Sequence, residues 1–470
     1  MAPTPSAATP LDDASELCRL SGTELLALYA SHKLSPVEVA RATLARAETI
    51  QERLNAFVRI DHESALAAAT ASEKRWQAGT PIGALDGVPT TIKDIVWVKD
   101  SLARYGSRSP GVTPASDAPS VVLLREAGAV FLGLTTTPEF GWKALTDGPL
   151  TGITRNPWNP DLTPGGSSGG AAVAAATGVG ALHLGTDGGG SIRVPAAFTG
   201  IVGHKPTFGR VPAYPASAFG TVAHIGPMTR TVADAQLMLQ AMSGRDFRDW
   251  FQNPLPFAPA DSVAAVDLQG RRFGLWRTPP SGTVDPTIAA AFDRAVKRLE
   301  EAGASLVPVD LPAEENLLDL FHRHWFAGAA ARLSLLSPGD LDAVDPGLRE
   351  IAAQGAAYSA VDLIHAHNRR AAFGGAFDAL LADYDAILSP ACAVLPFKAG
   401  EEVPPGSGLK RWTEWAGFSY PVNLAQSPAA IIRSEILENG LPVGLQIIGS
   451  RGKDGSVLAV AAAIESLYAA

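Results

Sequence analysis

Two glycine-rich stretches carry the hydroxyls whose settings could support chemistry. In "LGTDGGGSIRVP", residues 184–195, a lone serine, Ser191, follows three consecutive glycines. Glycine in a fixed backbone costs roughly 0.5–1 kcal/mol relative to alanine, so three together imply that bare backbone approaches a ligand or a packed helix. The second stretch, "TPGGSSGGAAVAAATGVGALHLG", reads as G-x-S-x-G through Gly166, Ser168 and Gly170, the pattern of a nucleophile elbow. An elbow needs a strand directly before its serine. The preceding "TRNPWNPDLTP" carries Pro157, Pro160 and Pro164, a density no interior strand tolerates. A phosphate loop is excluded because no Lys-Ser/Thr pair follows the glycines. The pairs His322/His324 and His365/His367 could suggest metal, but side chains two apart on a helix do not share a face. They read as packing or surface histidines, and neither a metal nor an organic cofactor is implied.

The elements that would position these serines are legible from local signals. "SPVEVARATLARAETI" offers Ser35 as N-cap, Pro36 at the first helical position and Glu38 three residues after the cap. In "GALDGVPTTIKDIVWV" the β-branched run from Thr90 to Val98 predicts a strand, with Lys93 inside it. A lone strand lysine ordinarily snorkels to solvent. "APSVVLLREAGAVFLGLT" and "FDRAVKRLEEAGASLVPVD" share one layout: an amphipathic helix, a glycine just past its end (Gly128, Gly303), then an apolar strand. The segment after GGSSGG is apolar on every side, as a helix buried in mid-domain would be. Alternating helix and strand predict an α/β sheet covered by helices. Proline-rich text between Asp249 and Ser262, and "SPGDLDAVDPGLRE" near residue 340, mark the edges of a variable insert or cap over about 245–400.

Composition bounds the function. With 470 residues and 46% hydrophobic content the chain can bury a large core, and the whole length reads as a single domain whose first dozen residues are a disordered tail. The formal charge is −9, without basic blocks, so nucleic acid is not expected as a partner. Cys18 and Cys392 are far apart and form neither a disulfide framework nor a zinc motif. No signal peptide or membrane-length apolar run is present, and a cytoplasmic protein, monomer or homodimer, is expected.

Taken together, "LDGVPTTIKD", "TGITRNPWNPDLTPGGSSGGAAVAAATGVGALHLGTDGGGSIRVPAAFTGIVGHKPTFGRVP" and "GLPVGLQIIG" resemble the amidase signature family, serine hydrolases of amides and related acyl bonds. The resemblance implies a large mixed β-sheet core with helices on both faces. It places the family's lysine at Lys93, a bridging serine on a cis peptide at Ser167, and the nucleophile at Ser191. Ser168 then becomes a neighbour, and an esterase acting through it stays as an alternative. A serine hydroxyl needs a base as it attacks, and a lysine held neutral near pH 7.5 can serve, at a cost of roughly 4 kcal/mol. Gly188, Gly189, Gly190 and Ser191 would present their amides as an oxyanion hole. Asp187 and Arg193, flanking the loop, are expected to pair and pin it.

The family's alignment suggests Gly141 and Trp142 as acyl-pocket contacts. Separately, the Pro-, Gly- and aromatic-containing loop over residues 207–227, just past the catalytic motifs, has the composition of a loop that could gate the site, with Arg210 or Phe219 meeting substrate. A small-molecule amide, anilide or carbamate substrate is implied. The family also contains the glutamine-hydrolysing component of a tRNA-dependent amidotransferase, whose pattern has an aspartate seven residues before the asparagine of P-x-N-L-A-G. Here "AGFSYPVNLAQSPAA" has Ala416 at that place and Gln426 for the glycine. Both departures argue for a stand-alone amidase. A catalytically silent protein that keeps the fold is the remaining alternative.

Overall fold

Local signals set the helices, and long-range pairing of buried strands sets the sheet. The computed structural model describes residues 9–252 and 266–469. Ser35 Oγ accepts from the Val37 amide at 3.0 Å and Glu38 accepts from the Ser35 amide at 3.0 Å, starting the helix Pro36–Leu54 as its capping box predicts.

The strands, in chain order, are β1 (Phe57–Ile60), β2 (Pro89–Lys93), β3 (Val130–Thr135), β4 (Asp147–Gly148), β5 (Gly152–Ile153), β6 (Leu182–Asp187) and β7 (Val202–Lys205). They continue with β8 (His224–Thr229), β9 (Arg272–Leu275), β10 (Ser305–Pro308), β11 (Ala386–Pro390), β12 (Ala429–Ile436) and β13 (Pro442–Ile448). Apart from the β4–β5 hairpin they form one mixed 11-stranded sheet, ordered β1-β3-β2-β6-β8-β7-β12-β13-β11-β9-β10.

The two helix–glycine–strand units of the sequence each return a strand parallel to its neighbour, β3 beside β2 and β10 beside β9. Gly128 (φ +91°) and Gly303 (φ +85°) make the reversals. The helix Pro286–Glu301 buries Ile288, Ala291, Phe292, Ala295, Val296 and Leu299 at helical spacing. Each large apolar side chain so covered contributes roughly 1.5–3 kcal/mol.

Side chains alternate across a strand, and this assigns the two faces of β2. Ile92 enters a core shared with Val39, Val121, Leu239 and Ile464. Thr91 and Lys93 point to the opposite face, beneath a second core that holds Phe321, Trp325 and Trp412. On that face the helix Gly169–Ala176 is buried throughout, because its small residues let it lie directly against β2, β6 and β8. Helices thus cover both sides of the sheet.

The structure corrects three expectations about extent. β2 ends at Lys93, not Val98: the Ile95 and Val96 amides turn back to the Lys93 carbonyl, and Asp94 accepts from the Arg104 and Gly106 amides. Of the dozen N-terminal residues read as a tail, 1–8 lie outside the described residues, while Thr9 and Asp12 close a turn on which Arg46 rests through the Pro10 carbonyl. Residues 245–400 are more than an insert, since β9, β10 and β11 complete one edge of the sheet. The same stretch supplies the helices Leu317–Leu333 and Pro346–Ala356, and residues 253–262 of its proline-rich start lie outside the described residues.

Candidate active site

β3, β2 and β6 run parallel and adjacent, so their carboxyl ends meet at one edge of the sheet, the place where open α/β sheets offer a crevice. Lys93 ends β2, Thr186 and Asp187 end β6, and the turn Glu139–Gly141 follows β3. The GGSSGG loop crosses the same edge on its way into the helix Gly169–Ala176. The Gly166–Ser167 peptide is cis. A Cβ at Gly166 would lie 2.2 Å from the Leu145 carbonyl oxygen, so only glycine fits there.

Lys93 is wholly buried, and its Nζ lies 2.6 Å from Ser167 Oγ, 2.9 Å from Ser168 Oγ and 2.9 Å from Thr186 Oγ1. Three contacts suit either the three N–H groups of an ammonium or the two N–H groups and lone pair of an amine. Burial favours the amine: it pushes the Lys93 pKa well below the usual lysine value, and the Asp187 charge opposes the shift. Asp187 is itself committed to Arg193. Ser168 donates its hydroxyl hydrogen to the Thr186 carbonyl at 3.1 Å, so it accepts from the amine and leaves the lone pair to the hydroxyls of Ser167 and Thr186, of which Ser167 is the nearer at 2.6 Å against 2.9 Å. Ser168 Oγ is enclosed and does not line the cavity, which removes the geometric basis of an elbow nucleophile.

Ser191 sits on the loop between β6 and the helix Arg193–Thr199, and its carbonyl accepts from the Ser168 amide at 3.1 Å, tying the two serine loops together. Ser191 and Ser167 both line one cavity of about 540 Å³. Among the described residues no hydrogen bond joins their hydroxyls. Catalytic hydrogen bonds often tighten only with substrate bound.

The triple glycine answers to two constraints at once. A Cβ on Gly188 would meet the Trp325 ring at 2.7 Å, and one on Gly189 would meet Phe321 at 2.7 Å and Trp412 at 2.8 Å, so an aromatic wall presses on bare backbone. Gly190 has φ +119° and would strike Ser419. Its amide departs from expectation: it donates to Asp187 Oδ1 at 2.9 Å and is unavailable to a ligand. Among the described residues the amides of Gly188, Gly189 and Ser191 have no protein acceptor.

Asp187 and Arg193 form the expected pair, fully buried and bidentate at 3.0 Å for both contacts. Arg193 and its hydrogen-bonding neighbours hold the Asp187 carboxyl below the usual carboxylate range despite burial. Asn423 bridges both, donating to Asp187 Oδ1 at 2.9 Å and accepting from Arg193 at 2.6 Å, and Gln446 accepts from Arg193 at 2.8 Å. Lys205, also buried, donates to the Ser427 carbonyl. Nothing local to "DGGGSIR" reveals Asn423 or Gln446, which arrive from more than two hundred residues downstream.

The suggested substrate contacts divide. Gly141 and Phe219 line the cavity, a Cβ on Gly141 would stand 3.4 Å from Ser167 Oγ, and Phe219 stacks on Trp325 with centroids 3.8 Å apart. Trp142 does not line it; its side chain packs away, against Gly347, while its carbonyl accepts from the Trp325 indole at 2.9 Å. Arg210 is held 3.3 Å from Asp454, at the start of the last helix, and lies off the cavity. Residues 207–220 supply much of the wall, with Ile95, Trp97, Tyr105 and Phe140 contributed from earlier in the chain, so the lining is mainly apolar and aromatic. His224 joins it, Nδ1–H donating to the Val222 carbonyl at 2.8 Å, and burial pushes its pKa well below the usual histidine value. His322 and His324 are packed in the helical layer, and among the described residues no group of three or more His, Cys, Asp or Glu is placed to hold a metal. No helix among them is long and apolar enough to cross a membrane.

The mixed sheet with two glycine–serine loops over its carboxyl edge is the architecture of an amidase, and residues 38–458 match the family described as Amidase. The chain belongs to the amidase signature family. It is 35% identical over 459 residues to an acylamidase of Rhodococcus erythropolis, covering 95% of both chains. It is 36% identical to the A-type subunit of the glutamyl-tRNA(Gln) amidotransferase of Myxococcus xanthus, covering 96% of this chain and 97% of that one. Its fold matches the crystal structure of a bacterial aryl acylamidase of the amidase signature family with a TM-score of 0.89 and 29% identity, over 96% of this chain and 97% of the other.

Proposed function

We propose that the protein is a stand-alone amidohydrolase that cleaves small, mainly apolar amides, anilides and carbamates among them, through an acyl-enzyme on Ser191. The observation that carries this is the buried Lys93 at 2.6 Å from Ser167, with Ser167 and Ser191 opening onto one apolar cavity. As Ser191 Oγ attacks the acyl carbon, its proton passes to Ser167 Oγ, and the Ser167 proton passes to the Lys93 lone pair. The relay runs in reverse to protonate the departing amine, and water then releases the acid. The developing oxyanion is met by the amides of Gly188, Gly189 and Ser191, each such donor being worth about 3–4 kcal/mol of barrier. Asp187 and Arg193 hold the loop that aims them.

The glutamine-using alternative is represented among the relatives by A-type amidotransferase subunits. Against it stands the buried Ala416, where the pattern of those proteins calls for an aspartate, and the apolar wall, which offers little to an α-amino group. A cytoplasmic location accords with the two unpaired, buried thiols of Cys18 and Cys392. The test sets a 4-nitroanilide of a short fatty acid against L-glutamine with the purified protein. Anilide turnover that disappears in Ser191→Ala is expected; ammonia release from glutamine without anilide turnover would reverse the assignment.

A further inference from the structure

Arg332, on the helix Leu317–Leu333, lines the same cavity as the serines. Its guanidinium carbon stands 4.4 Å from the Phe140 ring centroid and 5.1 Å from that of Tyr105, and both rings also line the cavity. Among the described residues it has neither a carboxylate at ion-pair distance nor a hydrogen-bond acceptor for its guanidinium.

The surrounding cations behave differently. Lys143 holds Asp147 at 2.7 Å and Asp345 at 3.2 Å, Arg323 holds Asp319 at 3.0 Å, and Arg369 holds Glu314. Arg370, more deeply buried, donates to Thr221 Oγ1 at 2.6 Å and to the Leu424 carbonyl at 2.9 Å. The carboxylates at the cavity are committed elsewhere: Asp187 to Arg193, and Asp249 to the Ala213 and Phe251 amides, each at 2.8 Å. Arg332 is therefore half out of water and, among the described residues, without a counter-charge, and that desolvation pushes its pKa below the usual arginine value. Such burial is costly unless a partner supplies the missing acceptor. Stacking on two rings fixes the planar fork, whose geometry matches a carboxylate.

We propose that Arg332 is a specificity-determining residue that binds a carboxylate carried by the amide substrate away from the scissile bond, the apolar spacer lying along the aromatic wall. The substrate class is then the carboxylated amide, such as the mono-amide of a dicarboxylic acid. This rests on the amidase assignment of the cavity and narrows it.

The test compares wild type, Arg332→Gln and Arg332→Lys on mono-4-nitroanilides of linear dicarboxylic acids from succinic to suberic, each paired with its neutral terminal carboxamide. Wild type should prefer the carboxylate at one chain length or a narrow range of them. Arg332→Gln should lose roughly tenfold to a hundredfold in kcat/KM on that substrate, through KM, and far less on its neutral partner. Arg332→Lys should recover only part, because an ammonium lacks the fork. Equal losses on both members, or no carboxylate preference at any length in wild type, would overturn the proposal. Calorimetric binding of the same pairs to Ser191→Ala, with and without Arg332→Gln, separates the two claims. Absent wild-type turnover together with an Arg332-dependent carboxylate preference in binding would sink the amidase assignment and keep the anion site; no such preference in binding would sink the site.

Discussion

Replacing Lys93 with methionine should abolish turnover yet make the protein slightly more stable near neutral pH and less stable at high pH. An ordinary lysine titrates near 10.5, and burial pushes Lys93 well below that. The unfolded chain therefore binds a proton that the folded chain does not, so this residue makes wild-type stability rise with pH until the unfolded value is passed. Holding the amine neutral at pH 7.5 costs about 4 kcal/mol, and methionine removes that cost. It also leaves the hydroxyls of Ser167, Ser168 and Thr186 without the amine they now contact, at about 1 kcal/mol each. The balance is a gain of about 1 kcal/mol at pH 7.5 that turns into a loss of about 3 kcal/mol near pH 10.5, a slope of about 1.4 kcal/mol per pH unit. Urea unfolding of both proteins, followed by tryptophan fluorescence between pH 7.5 and 10.5, reads this difference, and subtraction cancels the other titrating groups, Lys205 included. A gap between the two proteins that does not change with pH would mean that Lys93 is charged in the fold, and the base would be lost from the mechanism.

Three further outcomes follow from the same geometry. Ser167→Ala should lower kcat on an anilide by about 10²–10⁴-fold, the range for a lost proton-transfer group, whereas Ser168→Ala, which removes a neighbour of the amine only, should cost much less. Gly189→Ala pushes a methyl into Phe321 and Trp412; it should destabilise by about 1–3 kcal/mol in thermal unfolding and, in the proposed mechanism, where the displaced amide is a transition-state donor, reduce kcat rather than raise KM. Asp187→Asn leaves the buried Arg193 without its carboxylate partner, and a loss of about 3–5 kcal/mol should appear in denaturant unfolding.

What the sequence discloses is what a short window can encode. The Ser35 cap, the glycine-punctuated returns to β3 and β10, and the buried alanine helix after GGSSGG are all set by neighbouring residues, and the structure has each of them. Lys93 is correctly read as a strand residue, but the β-branched run past it is not strand, because Asp94 is drawn to the amides of Arg104 and Gly106. The pairing of Asp187 with Arg193 is local and legible. The parts that escape come from afar: Asn423 and Gln446 lock that pair, Phe321, Trp325 and Trp412 explain two of the three glycines, and Arg332 lines the cavity. Trp142 and Arg210 mislead for the complementary reason. Each adjoins a loop that reaches the cavity, yet its side chain leaves in another direction, toward Gly347 in one case and Asp454 in the other. Gly190 is readable as glycine but not as the one member whose amide turns inward to Asp187.

The central claim is that Ser191 is the nucleophile and Lys93 its distant base. Peptide mapping by mass spectrometry after treatment with a fluorophosphonate probe tests it directly, in wild type, Lys93→Met and Ser191→Ala. The modification should fall on Ser191 in wild type, slow by orders of magnitude in Lys93→Met and vanish in Ser191→Ala. Labelling of Ser168, or labelling of Ser191 at an undiminished rate without the lysine, would contradict it.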